Sequence, residues 1–270
     1  MALRFLAVAA CVVQVSTAAA ETVPNPLAES PTWDDLRYDI LGDAETANGD
    51  TLLVVDAPYR AHDAATVPVT LTQTDPAQTI TDISVVVDEN PAPVAGTFTF
   101  SEAMAPLDFE MRVRVNQYSN IRVIAETENG LFMTGRYVKA SGGCSAPASR
   151  DPQVALATMG EMKLRMFDTG DTPAVSTARR QAQVMVRHPN YSGLQRDQIT
   201  QLFIPAHFID HLEVWQGEDV LFTMDGGISI SENPVFRFSY LDNGAPSLTV
   251  KATDTEGNRF ETTLLKNPAT

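Results

Sequence analysis

Phe109-Glu110-Met111-Arg112-Val113-Arg114-Val115 alternates apolar and charged residues without a break. A period of two marks a β-strand with one face in a core and the other in water. On that reading Phe109, Met111, Val113 and Val115 face inward, and Glu110, Arg112 and Arg114 face solvent. Further along, Ile121, Val123 and Ala125 alternate with Arg122 and Glu126. Asn129-Gly130 is a strong hairpin signal, because both residues tolerate a left-handed backbone. Residues 131–138 then return as the partner strand.

The same pattern extends in both directions. Upstream, 51–56, 67–72, 79–87 and 96–100 are short β-rich runs separated by Pro, Asp, Asn and Gly. Ahead of them Ser30-Pro31 opens a helix, with Ser suited to the N-cap and Pro to the first turn. Asp34 and Asp35 suit the positive end of its dipole. Trp33, Leu36 and Ile40 recur at helical spacing toward the core, and Gly42 ends the helix. Downstream, Met162, Leu164 and Met166 alternate with Lys163 and Arg165. Ala182, Val184 and Val186 alternate with Gln183 and Arg187. Runs at 211–215, 220–224, 235–241, 248–254 and 259–265 follow, with Thr255-Glu256-Gly257-Asn258 closing a hairpin. Many short strands with frequent turns predict an all-β protein of two antiparallel sandwiches in tandem, with one short N-terminal helix.

The chain has 270 residues, 44% of them hydrophobic, which suits one large domain or two small ones. Its 12 Phe, 6 Tyr and 2 Trp suffice for two small cores. A net charge of -15 argues against nucleic acid, which needs clustered Lys and Arg. Otherwise the acidity speaks of solubility. Residues 1–20 read as a secretory signal: Arg4, an apolar run from Phe5 to Val15, then Ala18-Ala19-Ala20. That run is shorter than the roughly 20 residues a bilayer crossing needs, and no later stretch spans a membrane. Cleavage near Ala20 would remove Cys11, leaving Cys144 as the one thiol in an oxidising compartment.

Cys144 lies in Ala140-Ser141-Gly142-Gly143-Cys144-Ser145-Ala146-Pro147, small and polar enough to read as a linker. The expected division is 1–20 signal, 21–140 first sandwich, 141–160 flexible linker and 161–270 second sandwich. Gly142 and Gly143 act as a hinge, and the thiol is expected to be exposed, up to roughly 15 Å beyond the last strand. A free thiol with pKa near ~8.5 is a few per cent thiolate at neutral pH, enough for nucleophilic attachment. His207 and His211 stand four apart, a zinc spacing on a helix, but Pro205 and the strand-like Leu212-Glu213-Val214-Trp215 argue against one. His188 reads as a turn residue beside Pro189. Met159, Met162, Met166 and Met185 read as core packing rather than copper ligands. No nucleophile elbow, phosphate loop or dinucleotide fingerprint appears. No catalytic residue, metal site or cofactor is expected.

The residues also resemble a known family. Val138-Lys139 followed by Gly142-Gly143-Cys144 is similar to the carboxy-terminal swinging arm of SoxY, a carrier subunit of bacterial sulfur oxidation. His188-Pro189, Ile204-Pro205-Ala206-His207-Phe208-Ile209, Gly226-Gly227-Ile228-Ser229 and Asn233-Pro234 with Phe236 and Phe238 resemble SoxZ, in the right order. The chain as a whole resembles fused SoxYZ-like carriers associated with quinoprotein dehydrogenases. The resemblance implies two immunoglobulin-like sandwiches and a non-enzymatic periplasmic carrier. Cys144 would hold a covalent sulfur intermediate, as in thiosulfate oxidation. The implied partners are periplasmic redox enzymes, either Sox-type enzymes or a quinoprotein dehydrogenase; a Cys144-linked dimer is also possible. In SoxY the arm ends the chain, whereas here Ser145-Ala146 follows and the chain continues, so the arm is tethered at both ends. Two other readings compete. One is an accessory protein for assembly or maturation of a quinoprotein alcohol dehydrogenase. The other is a metal-dependent enzyme using His207 or His211.

Overall fold

The computed structural model describes residues 24–147, 152–167 and 179–266. The expected signal at 1–20 lies outside them. The first half comprises α1 (Pro31–Leu41), β1 (Thr46–Asn48), β2 (Leu53–Asp56), β3 (Val67–Gln73), β4 (Ile80–Val87), β5 (Val94–Phe100), β6 (Asp108–Val113), β7 (Ser119–Thr127) and β8 (Gly130–Val138). The second comprises α2 (Pro152–Ala157), β9 (Met162–Phe167), β10 (Arg179–Val186), β11 (Ile209–Gln216), β12 (Asp219–Gly226), β13 (Val235–Leu241), β14 (Ser247–Asp254) and β15 (Arg259–Leu265).

The all-β reading holds, and the two halves are joined more intimately than tandem sandwiches need to be. Among the described residues the strands form one sheet of nine and one of six, and each sheet runs through both halves. In the larger, β5 pairs with β12, setting Phe100 opposite Phe222 and Phe98 opposite Met224. In the smaller, β6 pairs with β13, setting Phe109 opposite Phe238. The phenylalanines of these four strands therefore build one continuous core across both halves. At its centre Phe109 stands 5.2 Å from both Phe98 and Phe222, 5.3 Å from Phe100 and 6.0 Å from Phe236 between ring centroids. The alternation of β6 fills this core from one side; the residues of β13 fill it from the other.

α1 begins as the sequence predicts. The Ser30 side chain accepts a hydrogen bond from the Trp33 amide at 3.2 Å, and Gly42 closes the helix with a positive φ of 60°. Trp33 packs on Val86 and Ile124 in a small cluster outside the main core. The Arg122 guanidinium lies 4.4 Å from its ring while ion-pairing with buried Asp88 at 2.9 Å. Ser30→Ala is expected to cost about 1 kcal/mol, read by urea unfolding.

The hairpin between β7 and β8 is displaced by one residue from its sequence signal. Thr127 pairs with Gly130, so Glu128-Asn129 form the loop, and Gly130 takes the positive φ. Among the described residues no helix is long and apolar enough to cross a membrane.

Candidate functional site

After β8 the chain continues into the Gly142-Gly143-Cys144 segment, which is folded onto the protein. The Gly142 amide donates to the Asn116 carbonyl at 2.8 Å, and the Gly143 amide to the Val115 carbonyl at 3.0 Å. Gly142 has φ +80°, which glycine adopts freely and other residues resist. Gly143 is needed for a different reason: a Cβ there would collide with the carbonyl oxygens of Ala64 and Val115. The Ser145 amide closes the turn onto the Gly142 carbonyl at 3.2 Å. From the other half, the Ser192 hydroxyl donates to the Cys144 carbonyl, and Gln195 Nε2 to the Ala146 carbonyl at 2.9 Å. Within the 141–160 stretch, then, residues 142–146 are bonded to both halves, and Pro152–Ala157 is helical.

Cys144 was expected to be exposed; it is fully buried. The cause is this docking, which composition alone does not reveal. Burial pushes the thiol above its usual range, and the charge of Arg114 opposes that shift. A thiol sealed in this way is a poor nucleophile, because the thiolate is the reactive form.

Arg114, like Arg122, is a residue that the alternation misplaced. Period two assigns it to the solvent face, yet it is only 1% exposed. β6 ends at Val113, and beyond it the backbone follows another course: the Arg114 amide donates to the Ser229 carbonyl at 2.7 Å. Its Nη1 donates to the Gly143 carbonyl and its Nη2 to the Asn190 carbonyl, both at 3.1 Å. No local signal separates it from Arg112.

The histidines sort differently from their spacing. His211 pairs with Asp225 at 2.7 Å and with Glu213 at 3.3 Å at the surface. His207 instead meets His188, and both donate to Asp254 Oδ2, at 2.7 and 3.3 Å. These three are buried, and their ligand-type atoms lie within 4.8 Å of one another. The tautomer argues against a metal. The Asn190 amide donates to His188 Nδ1 at 3.1 Å, so the ring proton sits on Nε2 and points at Asp254. A metal on Nε2 would force that proton onto Nδ1, against the Asn190 N–H. Asp254 also accepts from the Asn258 side chain and from the amides of Glu256 and Asn258. Burial pushes its carboxyl up, but the bonds from Asn258, His207 and His188 together outweigh that and hold its pKa at about 2. The cluster ties the loop after β10, on which Asn190, Ser192 and Gln195 stand, to the β14–β15 turn. His188 and Asp254 lie 66 positions apart, so spacing gave no hint of the pair.

Beside the docked segment an open groove of about 290 Å³ is lined by Ser145, Pro147, Leu194, Arg196, Gln198 and Gln201. Ile199, Leu202 and Phe203 of the same loop are exposed.

With this geometry in view, residues 37–144 match the family of the sulfur oxidation protein SoxY, and the match ends on Cys144. Residues 171–264 match that of the sulphur oxidation protein SoxZ. The chain carries a SoxY-family segment and a SoxZ-family segment in tandem. Among solved structures it is similar to the sulfur carrier protein SoxY from Chlorobium limicola f thiosulfatophilum, with 26% identity over 41% of this chain and 97% of that one, at a TM-score of 0.34. No curated protein sequence matches the chain. The thiol segment closes the SoxY domain, and the loop carrying Asn190, Ser192 and Gln195 belongs to the SoxZ domain.

Proposed function

We propose that the chain is a periplasmic, non-enzymatic carrier that holds a sulfur or thiol-linked intermediate on Cys144. Its partners are enzymes of a Sox-like or quinoprotein dehydrogenase-associated pathway. The observation that carries this reading is the Gly142-Gly143-Cys144 sequence at the very end of the segment matching SoxY. Joining the thiol to a second thiol-type sulfur forms one S–S bond and breaks two S–H bonds. Two protons go to water, and two electrons must go to an acceptor. On this reading a partner redox enzyme takes the electrons. Gly142 and Gly143 serve as the hinge on which the arm leaves its seat, since a buried thiol reaches no partner. A Cys144-linked dimer requires the same release.

Intact mass of protein purified from the native periplasm, with and without reductant, tests the reading. The expected result is a chain starting near Glu21 with a reducible adduct that Cys144→Ala abolishes. Unmodified thiol under all conditions, together with normal growth of the Cys144→Ala strain on every substrate, overturns it.

The burial of Cys144 beside exposed Ile199, Leu202 and Phe203 favours a second reading, an accessory protein that assembles or matures a quinoprotein dehydrogenase. On that reading Cys144→Ala leaves dehydrogenase activity intact, while polar substitutions in this loop abolish it.

A further inference from the structure

We propose that Arg114 is the positioning residue of the arm, tying the Gly143 carbonyl to the SoxZ-like half so that Cys144 stays sealed between partner encounters. This rests on the carrier reading of Cys144.

Burying a guanidinium is costly unless its N–H groups are used. Here the charge is spent on two backbone carbonyls that belong to no strand ladder, and Nε has no hydrogen-bond partner among the described residues. Glu232 and Asp63 add counter-charge, but the hydrogen bonds go to Gly143 and Asn190.

Those two carbonyls are not equivalent. Asn190 is held from three sides: its amide donates to His188 Nδ1, its Nδ2 to the Ser231 carbonyl, and its Oδ1 accepts from the Ile209 amide. The carbonyl on that side is a fixed anchor. Gly143 belongs to a turn whose other contacts across the halves come from Ser192 and Gln195. Arg114 thus reaches from a rigid point to the movable one. Only a planar fork with two separated donors spans both, which a lysine ammonium cannot reproduce.

The test is the rate at which iodoacetamide alkylates Cys144 in the folded chain, followed by mass spectrometry from pH 6 to 10. The wild type is expected to react slowly, with a midpoint above the ordinary thiol value of about 8.5. Arg114→Lys and Arg114→Gln are expected to react roughly tenfold to hundredfold faster, with the midpoint back in the ordinary range. Gly143→Ala expels the arm by collision and leaves Arg114 in place, so it marks the rate of a released arm. Near-UV circular dichroism selects the variants that remain native, and Arg114→Lys keeps the charge should Arg114→Gln misfold. A native Arg114→Lys that matches the wild type while Gly143→Ala reacts fast overturns the proposal. So does a Gly143→Ala rate equal to that of the wild type, since docking would then not be what seals the thiol. The measurement needs neither cargo nor partner. Failure to find an adduct on Cys144 would therefore sink the carrier reading and leave this result standing.

Discussion

Phe109→Ala is expected to lower the unfolding free energy by about 3–5 kcal/mol and to destabilise both halves together. Its ring meets phenylalanines of both halves at 5.2 to 6.0 Å, so the cavity left behind opens at the junction rather than inside one sandwich. The two tryptophans offer separate probes, since Trp33 sits in α1 and Trp215 in β11. Single-tryptophan variants unfolded in urea should show coincident midpoints, both moved down by Phe109→Ala. If only the Trp33 signal moves, the halves are independent cores and the continuous-sheet account fails.

The second large effect is at Asp254. Asp254→Ala strands the donors of His188, His207 and Asn258 in a buried site, and a loss of about 3–5 kcal/mol is expected. The pH dependence carries a sign. The Asp254 carboxyl titrates at about 2 in the folded chain, below its ordinary value. Its contribution, on the order of 2 kcal/mol, is present above about pH 4 and is lost as pH falls toward the folded value. His188 is also shifted downward, chiefly by burial. An unfolded His188 therefore takes up a proton first, and stability falls as pH drops below about 6.5. Both groups act in the same direction, so stability should climb from pH 2 to about 6.5. Urea midpoints at pH 3, 5 and 7 read this slope. Asp254→Asn should flatten the segment below pH 4; an unchanged slope there would assign the acid sensitivity to other carboxylates.

The strands were legible because one face of each meets the core. Val235–Leu241 and Arg259–Leu265 fall where alternation and turn residues put them. Thr46–Asn48 escaped notice, since three residues are too few to show a period. The pairing of β5 with β12 and of β6 with β13 could not be read, because hydrogen bonds between distant strands leave no local signature. The thiol was the larger miss. Small residues around Cys144 looked like a loose linker, but smallness is what lets Gly143 press against the carbonyls of Ala64 and Val115. Arg114 was hidden by the regularity that betrayed the strand: the alternation continues in sequence two residues beyond the strand itself, to Val115.

The shared sheets have a consequence for how the protein is supplied. Made as separate chains, the two halves would each present bare strands, β5 and β6 on one side and β12 and β13 on the other. Such edges invite the wrong neighbour. Their union would also depend on how much of each was present. On one polypeptide the second half is always at hand, at an effective concentration set by the connecting segment rather than by expression. Dilution cannot then part them, and the floor beneath Cys144 is delivered one to one with the thiol it covers.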